Sequence, residues 1–194
     1  MLLLCIATIF SKSTTANADD RYVKLCERYF TEFAEDYGKF GQKDGFTYLY
    51  SDKKNTATIV AMPMEQKKVA VPEKINGKTV TKIELMDVFS CSSNYYFRDE
   101  FYGEHEDNPV PKVEYLSIPK TVKVINIYAG IGLTEGYCGE LQSYLVHLKK
   151  FNVASANKWY RSYKGMLYTK NGKKLLLVPR KYTAKTVKVK KGTT

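Results

Sequence analysis

The chain is poor in the residue types that most catalytic sites require. Its 194 residues include only two histidines, His105 and His147, and four cysteines. Neither histidine has a neighbouring serine or cysteine in a nucleophile motif such as G-x-S-x-G. The sequence therefore predicts a protein that is not an enzyme and carries no cofactor. The alternative is a secreted hydrolase that pairs Cys138 with His147 across an irregular segment.

The cysteines form no recognisable metal or disulfide pattern. Their spacings match no zinc template such as C-x-x-C, so no metal site is predicted. If an N-terminal export segment is removed, Cys26, Cys91 and Cys138 remain, and an odd number cannot pair completely. We expect buried free thiols, while one bridge between two of the three stays open as an alternative.

Long apolar runs are also absent. No stretch approaches the roughly 18 consecutive apolar residues that a membrane-spanning helix requires. A shorter, largely apolar run from Leu2 to Phe10 precedes SKSTTANA, in which Ala16-Asn17-Ala18 fits a small-x-small cleavage site. Residues 1–18 are therefore predicted to be a signal peptide, although no Lys or Arg precedes the run. The protein is predicted to be secreted or associated with the cell surface.

Acidic residues are missing from the last quarter of the chain. Residues 141–194 contain 14 of the 31 Lys and Arg but none of the 20 Asp and Glu. The rest of the chain holds 17 bases against all 20 acids, so the whole net charge of +11 arises from this end. An unbalanced basic segment favours an anionic partner.

One helix is predicted, over residues 20–40, and we assign 19–41 to this segment. Gly38 and Gly41 bound it. One face of this helix is an apolar stripe, and the opposite face carries four acidic residues, which anionic lipid headgroups would repel. We therefore expect the helix to pack on the domain core rather than on a membrane. The stripe, at the three-and-four spacing of one helix face, consists of Tyr22, Leu25, Cys26, Tyr29, Phe30, Phe33 and Tyr37.

From Gly45 onward the pattern predicts strands and turns. The runs GFTYLY and TATIVA flank SDKKN as in a hairpin. KKVAVPEKINGKTVTKI then adds a short strand that ends at Pro72, an Asn76-Gly77 turn and a further strand.

A later stretch, KGMLYTKNGKKLLLVP, repeats this order of elements. Gly165 takes the place of Gly45, and Asn171-Gly172 is expected to supply the two positive-φ positions of a tight two-residue turn. Strand-plus-proline units recur at Pro72, Pro119 and Pro179, without an exact period. Irregular repetition of this kind is typical of a solenoid that carries insertions.

Four blocks carry a resemblance to a known family: VAVPEKINGKTVTKI, DVFSCSS, LSIPKTVKVI and the segment from Phe151 to Thr194. Over roughly residues 45–194 the chain resembles the BspA-like leucine-rich repeats of bacterial surface proteins. The resemblance implies a β-rich α/β solenoid with inserted β-hairpins behind a short N-terminal helix. It also implies that Cys91 and Cys138 are packed structural residues.

The repeat domain is predicted to span residues 42–194, with insertions near 92–112 and 128–147. We expect the repeat array to be truncated at Thr194, because the family continues beyond a Val-Lys-Val strand such as the last one here. The alternative is that this end of the chain forms its own cap. The first insertion lacks the alternating D-x-D-x-D-G spacing of a calcium loop, so a solvated acidic segment is predicted. Its charged residues include Asp99, Glu100, Glu104, His105, Glu106 and Asp107.

The basic segment supplies the candidate ligand-binding residues. In TVKVKKG, Val187 and Val189 are expected to face one side of a strand, and Lys188 and Lys190 the other. The predicted ligand-binding set is Trp159, Arg161, Lys164, Lys173, Lys174, Lys181, Lys188 and Lys190. The residues predicted to be structural are Gly45, Gly165, Asn171 and Gly172, with Cys91 and Cys138.

Together these features predict a non-catalytic adhesion or recognition module. Its partner is predicted to be a host or bacterial surface protein or an anionic polysaccharide. Nucleic acid is not expected, because KGMLY shares only Lys-Gly with the RNP1 pattern and no helix-turn-helix or zinc finger is visible. A purely structural repeat spacer is a further alternative, and it predicts no ligand.

Overall fold

A computed structural model of the chain describes residues 38–85, 111–126 and 145–194, together with Glu27 and Thr31. The described residues form twelve short β-strands. In chain order they are β1 (Lys39–Lys43), β2 (Phe46–Ser51), β3 (Thr56–Ala61), β4 (Lys68–Ala70), β5 (Lys74–Ile75), β6 (Lys78–Ile83), β7 (Tyr115–Ile118), β8 (Val124–Ile125), β9 (Lys150–Val153), β10 (Tyr160–Tyr163), β11 (Met166–Thr169) and β12 (Leu175–Leu177).

Three of these strands form a parallel sheet in the order β4-β7-β9. Lys68 on β4 lies opposite Tyr115 on β7, which lies opposite Lys150 on β9. The strands are therefore in register, although long and unequal stretches of chain separate them. Pro72 and Pro119 follow β4 and β7, so two of the three predicted strand-plus-proline units lie side by side. The prediction is wrong for the unit at Pro179, because its strand, β12, pairs antiparallel with β11, and the third strand of the parallel sheet is β9.

A second sheet has the order β1-β2-β3-β6-β5, with β8 also paired to β6. The pairings of β3 with β6 and of β6 with β8 are parallel. Ile83 lies opposite Ile125, so the segments TVTKI and TVKVI, each of which follows a proline, lie side by side. The strands after the prolines, β6 and β8, thus pair in parallel, as do the strands before them, β4 and β7.

The core consists of apolar columns that cross the strands of both sheets. Val69, Leu116 and Phe151 are in register on the parallel sheet, and each is at most 2% exposed. Ile59, Ile83 and Ile125 form a second buried column on the other sheet. Burial of one such side chain contributes about 1.5–3 kcal/mol relative to exposure, so these columns hold successive units together.

Two three-stranded antiparallel meanders flank the parallel strands, β1-β2-β3 and β10-β11-β12. The first connection in each is a two-residue turn with positive φ at both residues. The φ values are 52° and 80° at Asp44-Gly45 and 51° and 85° at Lys164-Gly165. The predicted equivalence of Gly45 and Gly165 is therefore confirmed at the level of the backbone.

The prediction for Asn171-Gly172 is wrong. Only Gly172 of that pair has positive φ, at 72°, and five residues rather than two connect β11 to β12. The reason is local hydrogen bonding by the Asn171 side chain. Its Oδ1 accepts from the Lys173 backbone N–H at 3.0 Å and from the Thr169 hydroxyl at 2.8 Å, which stabilises a longer Asx-type loop.

The predicted strand in TVKVKKG is also wrong, because the described chain contains no strand after β12. Val187 and Val189 are 49% and 54% exposed, and no row of lysines forms across a sheet there. The backbone of this segment bonds to the preceding meander instead. The Lys190 N–H donates to the Tyr168 hydroxyl at 3.2 Å, and the Thr194 N–H donates to the Lys173 carbonyl at 2.8 Å.

The predicted N-terminal helix extends too far, because residues 39–41 belong to β1 and Gly38 has a φ of 81°. Glu27 and Thr31 have helical backbone, and the remainder of 19–37 lies outside the described residues. The signal peptide, Cys26, Cys91, His105 and Cys138 lie outside them too. So do both predicted insertions, except for residues 111–112 and 145–147.

Candidate binding site

A polar groove runs across the outer face of the parallel sheet β4-β7-β9. It consists of two adjoining cavities of about 490 and 570 Å³ that share Tyr115 and Asn152. The groove extends from Lys68 on β4 to the β10–β11 turn at Lys164. No Asp or Glu lines it among the residues that the structure describes.

The first row of groove residues arises from the two-residue period of the strands. Because Leu116 points into the core, its neighbour Tyr115 points outward, with Lys68 and Lys150 beside it in register. Adjacent strands lie about 4.8 Å apart, so the two lysine positions are roughly 10 Å from each other. The result is a Lys-Tyr-Lys row across the sheet.

A second outward row lies two residues further along the strands. It contains Ala70, Ser117 and Asn152, again in register. These side chains are small or carry neutral hydrogen-bonding groups. They form a polar floor of the groove that projects less from the sheet than the Lys-Tyr-Lys row beside it.

The β10–β11 turn closes one end of the groove and positions Lys150. The Phe151 N–H donates to the Gly165 carbonyl at 2.8 Å, which seats the turn against β9. A Cβ at Gly165 would lie only 3.0 Å from Lys150 Cγ, so the lysine stem packs directly over the glycine. Lys164, at the same turn, holds its Nζ 5.6 Å from the centroid of the Tyr163 ring.

One carboxylate near the groove is already paired. Glu114 accepts from Lys149 Nζ at 2.8 Å and has Lys67 Nζ at 3.7 Å. The hydrogen bond from Lys149 lowers the pKa of Glu114, and the same bond raises the pKa of Lys149. Lys68, Lys150 and Lys164, in contrast, form no ion pair within the described residues. No carboxylate in the described part of the chain therefore compensates their charges.

The lysines of the predicted ligand-binding set lie in separate parts of the fold. Lys164 lines the groove. Lys173 and Lys174 lie in the β11–β12 connection, where Gly172 contacts the side chain of Lys190. Lys164 and this connection are at opposite ends of β11, so the lysines do not form one patch. Lys188 is exposed in the C-terminal segment, and exposed Lys181 donates its backbone N–H to the Leu148 carbonyl at 2.8 Å.

Trp159 and Arg161 belong to the loop and strand at the start of the second meander. Trp159 is 38% exposed, with Lys123 Nζ 5.6 Å from its ring centroid. Arg161 lies opposite Tyr168, and its Nε is buried without a hydrogen bond within the described residues. Neither residue lines the groove.

A second cleft, of about 430 Å³, lies between the first meander and the β5–β6 turn. Its lining includes Tyr48 and Tyr50, whose ring centroids are 6.0 Å apart, and the Asn76 amide donates to the Tyr48 hydroxyl. Asp52 at its rim binds Lys78 at 2.7 Å, so charges in this cleft are largely satisfied internally.

The described residues provide no catalytic constellation. His147 is exposed, and Cys138 lies outside the described residues, so the Cys138–His147 pairing stays a prediction. Within the described ranges no three His, Cys, Asp or Glu side chains converge as metal ligands. None of the described helical residues belongs to a helix long and apolar enough to cross a membrane.

Sequence reasoning missed most of the groove. Of the predicted ligand-binding residues only Lys164 lines it, whereas Lys68, Tyr115, Ser117, Lys150 and Asn152 were not selected. The signal was present in the repeat pattern. Superposing KVAVP on YLSIP and on the strand at Phe151 shows which positions alternate outward on three neighbouring strands.

The chain matches no protein-family profile and no curated protein. Among solved structures, it is similar to the pneumococcal vaccine antigen PcpA, with a TM-score of 0.28 and 15% identity over 80% of this chain and 60% of that one. It is also similar to a leucine-rich repeat protein from Eubacterium ventriosum, with a TM-score of 0.33 and 15% identity over 76% of this chain and 52% of that one. The chain therefore spans less than two thirds of either protein.

Proposed function

We propose that this chain is a non-catalytic binding module of BspA-like leucine-rich-repeat type that acts at a cell surface. It recognises a surface protein or an anionic polysaccharide. The observation that supports this proposal is the groove across β4-β7-β9, which is open, rich in lysine and free of described carboxylates.

A stacked parallel sheet is a suitable platform for such recognition. Its backbone is fixed by pairing on both sides of β7 and by the buried column beneath, so the groove side chains project from a rigid surface. Binding to a rigid surface costs less ordering entropy than binding to loops. Several modest contacts along the groove would then sum to a useful affinity.

The basic C-terminal segment has a different role in this proposal. Lys173, Lys174, Lys188 and Lys190 lie outside the groove but add to the positive field at this end of the molecule. Charges of this kind raise the rate at which an anionic partner is encountered, and their effect falls with salt. They steer the ligand, while the groove retains it.

The direct test is a binding assay with the whole chain immobilised on a sensor surface. The analytes are acidic polysaccharides, a neutral polysaccharide, extracellular matrix proteins and duplex DNA, each at 50 and 300 mM salt. We expect binding to at least one acidic polysaccharide or protein, weaker at the higher salt because the Debye length shortens. Equal binding to DNA and to every polyanion would indicate charge attraction without recognition.

The same experiment separates the two alternatives. A structural spacer predicts no binding to any analyte. A hydrolase that uses Cys138 and His147 predicts shortened polysaccharide or peptide products, abolished by Cys138→Ala. If incubated analytes are cleaved in this way, the non-catalytic assignment is wrong.

A further inference from the structure

We infer that the groove on β4-β7-β9 binds a carbohydrate chain that carries anionic groups, with one sugar ring on Tyr115 and the anionic groups held by Lys68 and Lys150. This inference rests on the proposed function and names its ligand class and its contact residues. The one ligand chemistry it requires is a pyranose with a carboxylate or sulfate substituent.

The two lysines define the charge that the groove accepts. Lys68 and Lys150 flank Tyr115 in register, on strands two positions apart. Neither forms an ion pair with a carboxylate in residues 38–85, 111–126 or 145–194, so an incoming anion displaces no ion pair among these residues. The stem of Lys150 is held over Gly165, with Cγ 3.0 Å from where a Cβ would be, which limits its freedom before binding.

Tyr115 and the second row define the neutral part of the ligand. Tyr115 is half-buried and lines the groove, so it adds apolar aromatic surface between the two charges. Ser117 and Asn152, the next outward residues on β7 and β9, provide a hydroxyl and an amide. Together they match a sugar ring, which has an apolar C–H face and hydroxyl groups around its rim.

An extended glycan fits the direction of the groove better than an acidic peptide. The groove lies on the face of the sheet, whereas the backbone N–H and C=O groups lie in the plane of the sheet, so the groove offers a peptide no backbone hydrogen bonds. The row offers side-chain contacts at strand spacing, and the roughly 10 Å between the two lysine positions is about the length of a disaccharide. The groove continues past Asn152 to Ser162 and Lys164, which leaves room for further sugars.

The test measures association and dissociation rates of the whole chain with defined polymers. Polygalacturonate supplies carboxylates, dextran sulfate supplies sulfates, dextran supplies neutral sugars, and poly-glutamate supplies charge without sugar. We expect polygalacturonate or dextran sulfate to bind and dextran and poly-glutamate to bind at least about tenfold more weakly. The stronger of the two sugar polyanions identifies the anionic group.

Substitutions then locate the site. Lys68→Gln with Lys150→Gln is expected to weaken binding about tenfold and to reduce its salt dependence. Tyr115→Ala is expected to speed dissociation about tenfold, whereas Tyr115→Phe, which keeps the ring face, changes it less than about twofold. As a matched control, Lys173→Gln with Lys174→Gln removes the same charge outside the groove and should slow association while leaving dissociation nearly unchanged.

Each contrary outcome has a distinct meaning. If poly-glutamate binds as well as the sugar polyanions and Tyr115→Ala has no effect, the partner is an acidic protein and the glycan inference is wrong. If the control pair weakens retention as much as the groove pair, the inference is wrong while the binding function stands. If no analyte of the wider panel binds, the proposed function itself fails. Circular dichroism of each variant verifies that the fold is retained.

Discussion

A single buried amide, Asn157, joins two parts of the chain that are far apart in sequence. Its Nδ2 donates to the carbonyls of Pro119 and Val122, at 2.8 and 2.9 Å. Its Oδ1 accepts from the N–H groups of Trp159 and Tyr160, both at 2.8 Å. All the hydrogen-bonding capacity of this fully buried side chain is therefore used.

Asn157→Ala is expected to destabilise the protein by about 2–4 kcal/mol. The substitution leaves buried carbonyls and N–H groups without partners, and each such group costs about 1–3 kcal/mol unless water reaches it. Urea unfolding of the variant measures the change. Asn152→Ala makes the same chemical change at an exposed position and should stay within about 0.5 kcal/mol of the parent. Equal losses at both sites would contradict the role assigned to Asn157.

At the scale of elements, the β2–β3 turn connects two other strands through one carboxylate. Asp52 accepts from Lys39 of β1 at 2.8 Å and from Lys78 of β6 at 2.7 Å. The hydrogen bonds from Lys39 and then from Lys78 lower the pKa of Asp52 to about 2. The ion pairs hold the edge of the first meander to the strand that continues the second sheet.

This low pKa predicts a pH-dependent contribution to stability. Because the folded pKa lies below the unfolded value of about 3.9, the contribution is fully present above that value and is lost as pH falls through about 2. Asp52→Asn should therefore lower the melting temperature at pH 5 but have little effect at pH 2. The Asp52 side chain is half-exposed, so salt should reduce the difference.

The same measurement in a Lys39→Gln, Lys78→Gln background provides the control. With both partners removed, Asp52→Asn should no longer change the melting temperature differently at the two pH values. A persistent pH-dependent difference in that background would show that another group shifts the pKa of Asp52.

Sequence reasoning was most successful for elements with a local cause. The hairpin of β2 and β3 and the Asn76-Gly77 turn follow from alternation and turn chemistry within a few residues. It failed where a non-local or side-chain interaction decided the outcome. The Asn171 side chain lengthens its own loop, and the segment at Val187 bonds to Tyr168 and Lys173 instead of pairing as a strand.

The groove was missed for a related reason. Its residues come from three strands whose register is set by pairing between distant segments, and none of these residues is unusual within its own stretch of sequence. The basic C-terminal segment, by contrast, is conspicuous in the sequence, but its lysines are distributed among a turn, a loop and an exposed segment. Charge composition thus did not predict where in the fold these lysines would lie.

At the scale of the whole molecule, stability depends on the apolar columns that cross successive units. Leu116 is the middle member of the column on the parallel sheet, between Val69 and Phe151. Truncation of Leu116 would leave a cavity and remove its contacts with both neighbours, because the close-packed interior relaxes only in part to fill the space.

Leu116→Ala is accordingly expected to destabilise the protein by about 2–5 kcal/mol in urea unfolding. Leu176→Ala deletes the same atoms from a partly buried position on β12 and should cost less. If the two variants lose similar free energy, the column does not have the central role described here.

The alternation of inward and outward residues on β4, β7 and β9 separates the positions that form the core from the positions that face the groove. Substitutions at Ala70, Ser117 or Asn152 alter what the exterior contacts without creating a void beneath, since the core is built from the intervening positions. Single substitutions at these three positions can therefore change the size, charge and hydrogen-bonding groups of the groove floor while the folded scaffold is kept.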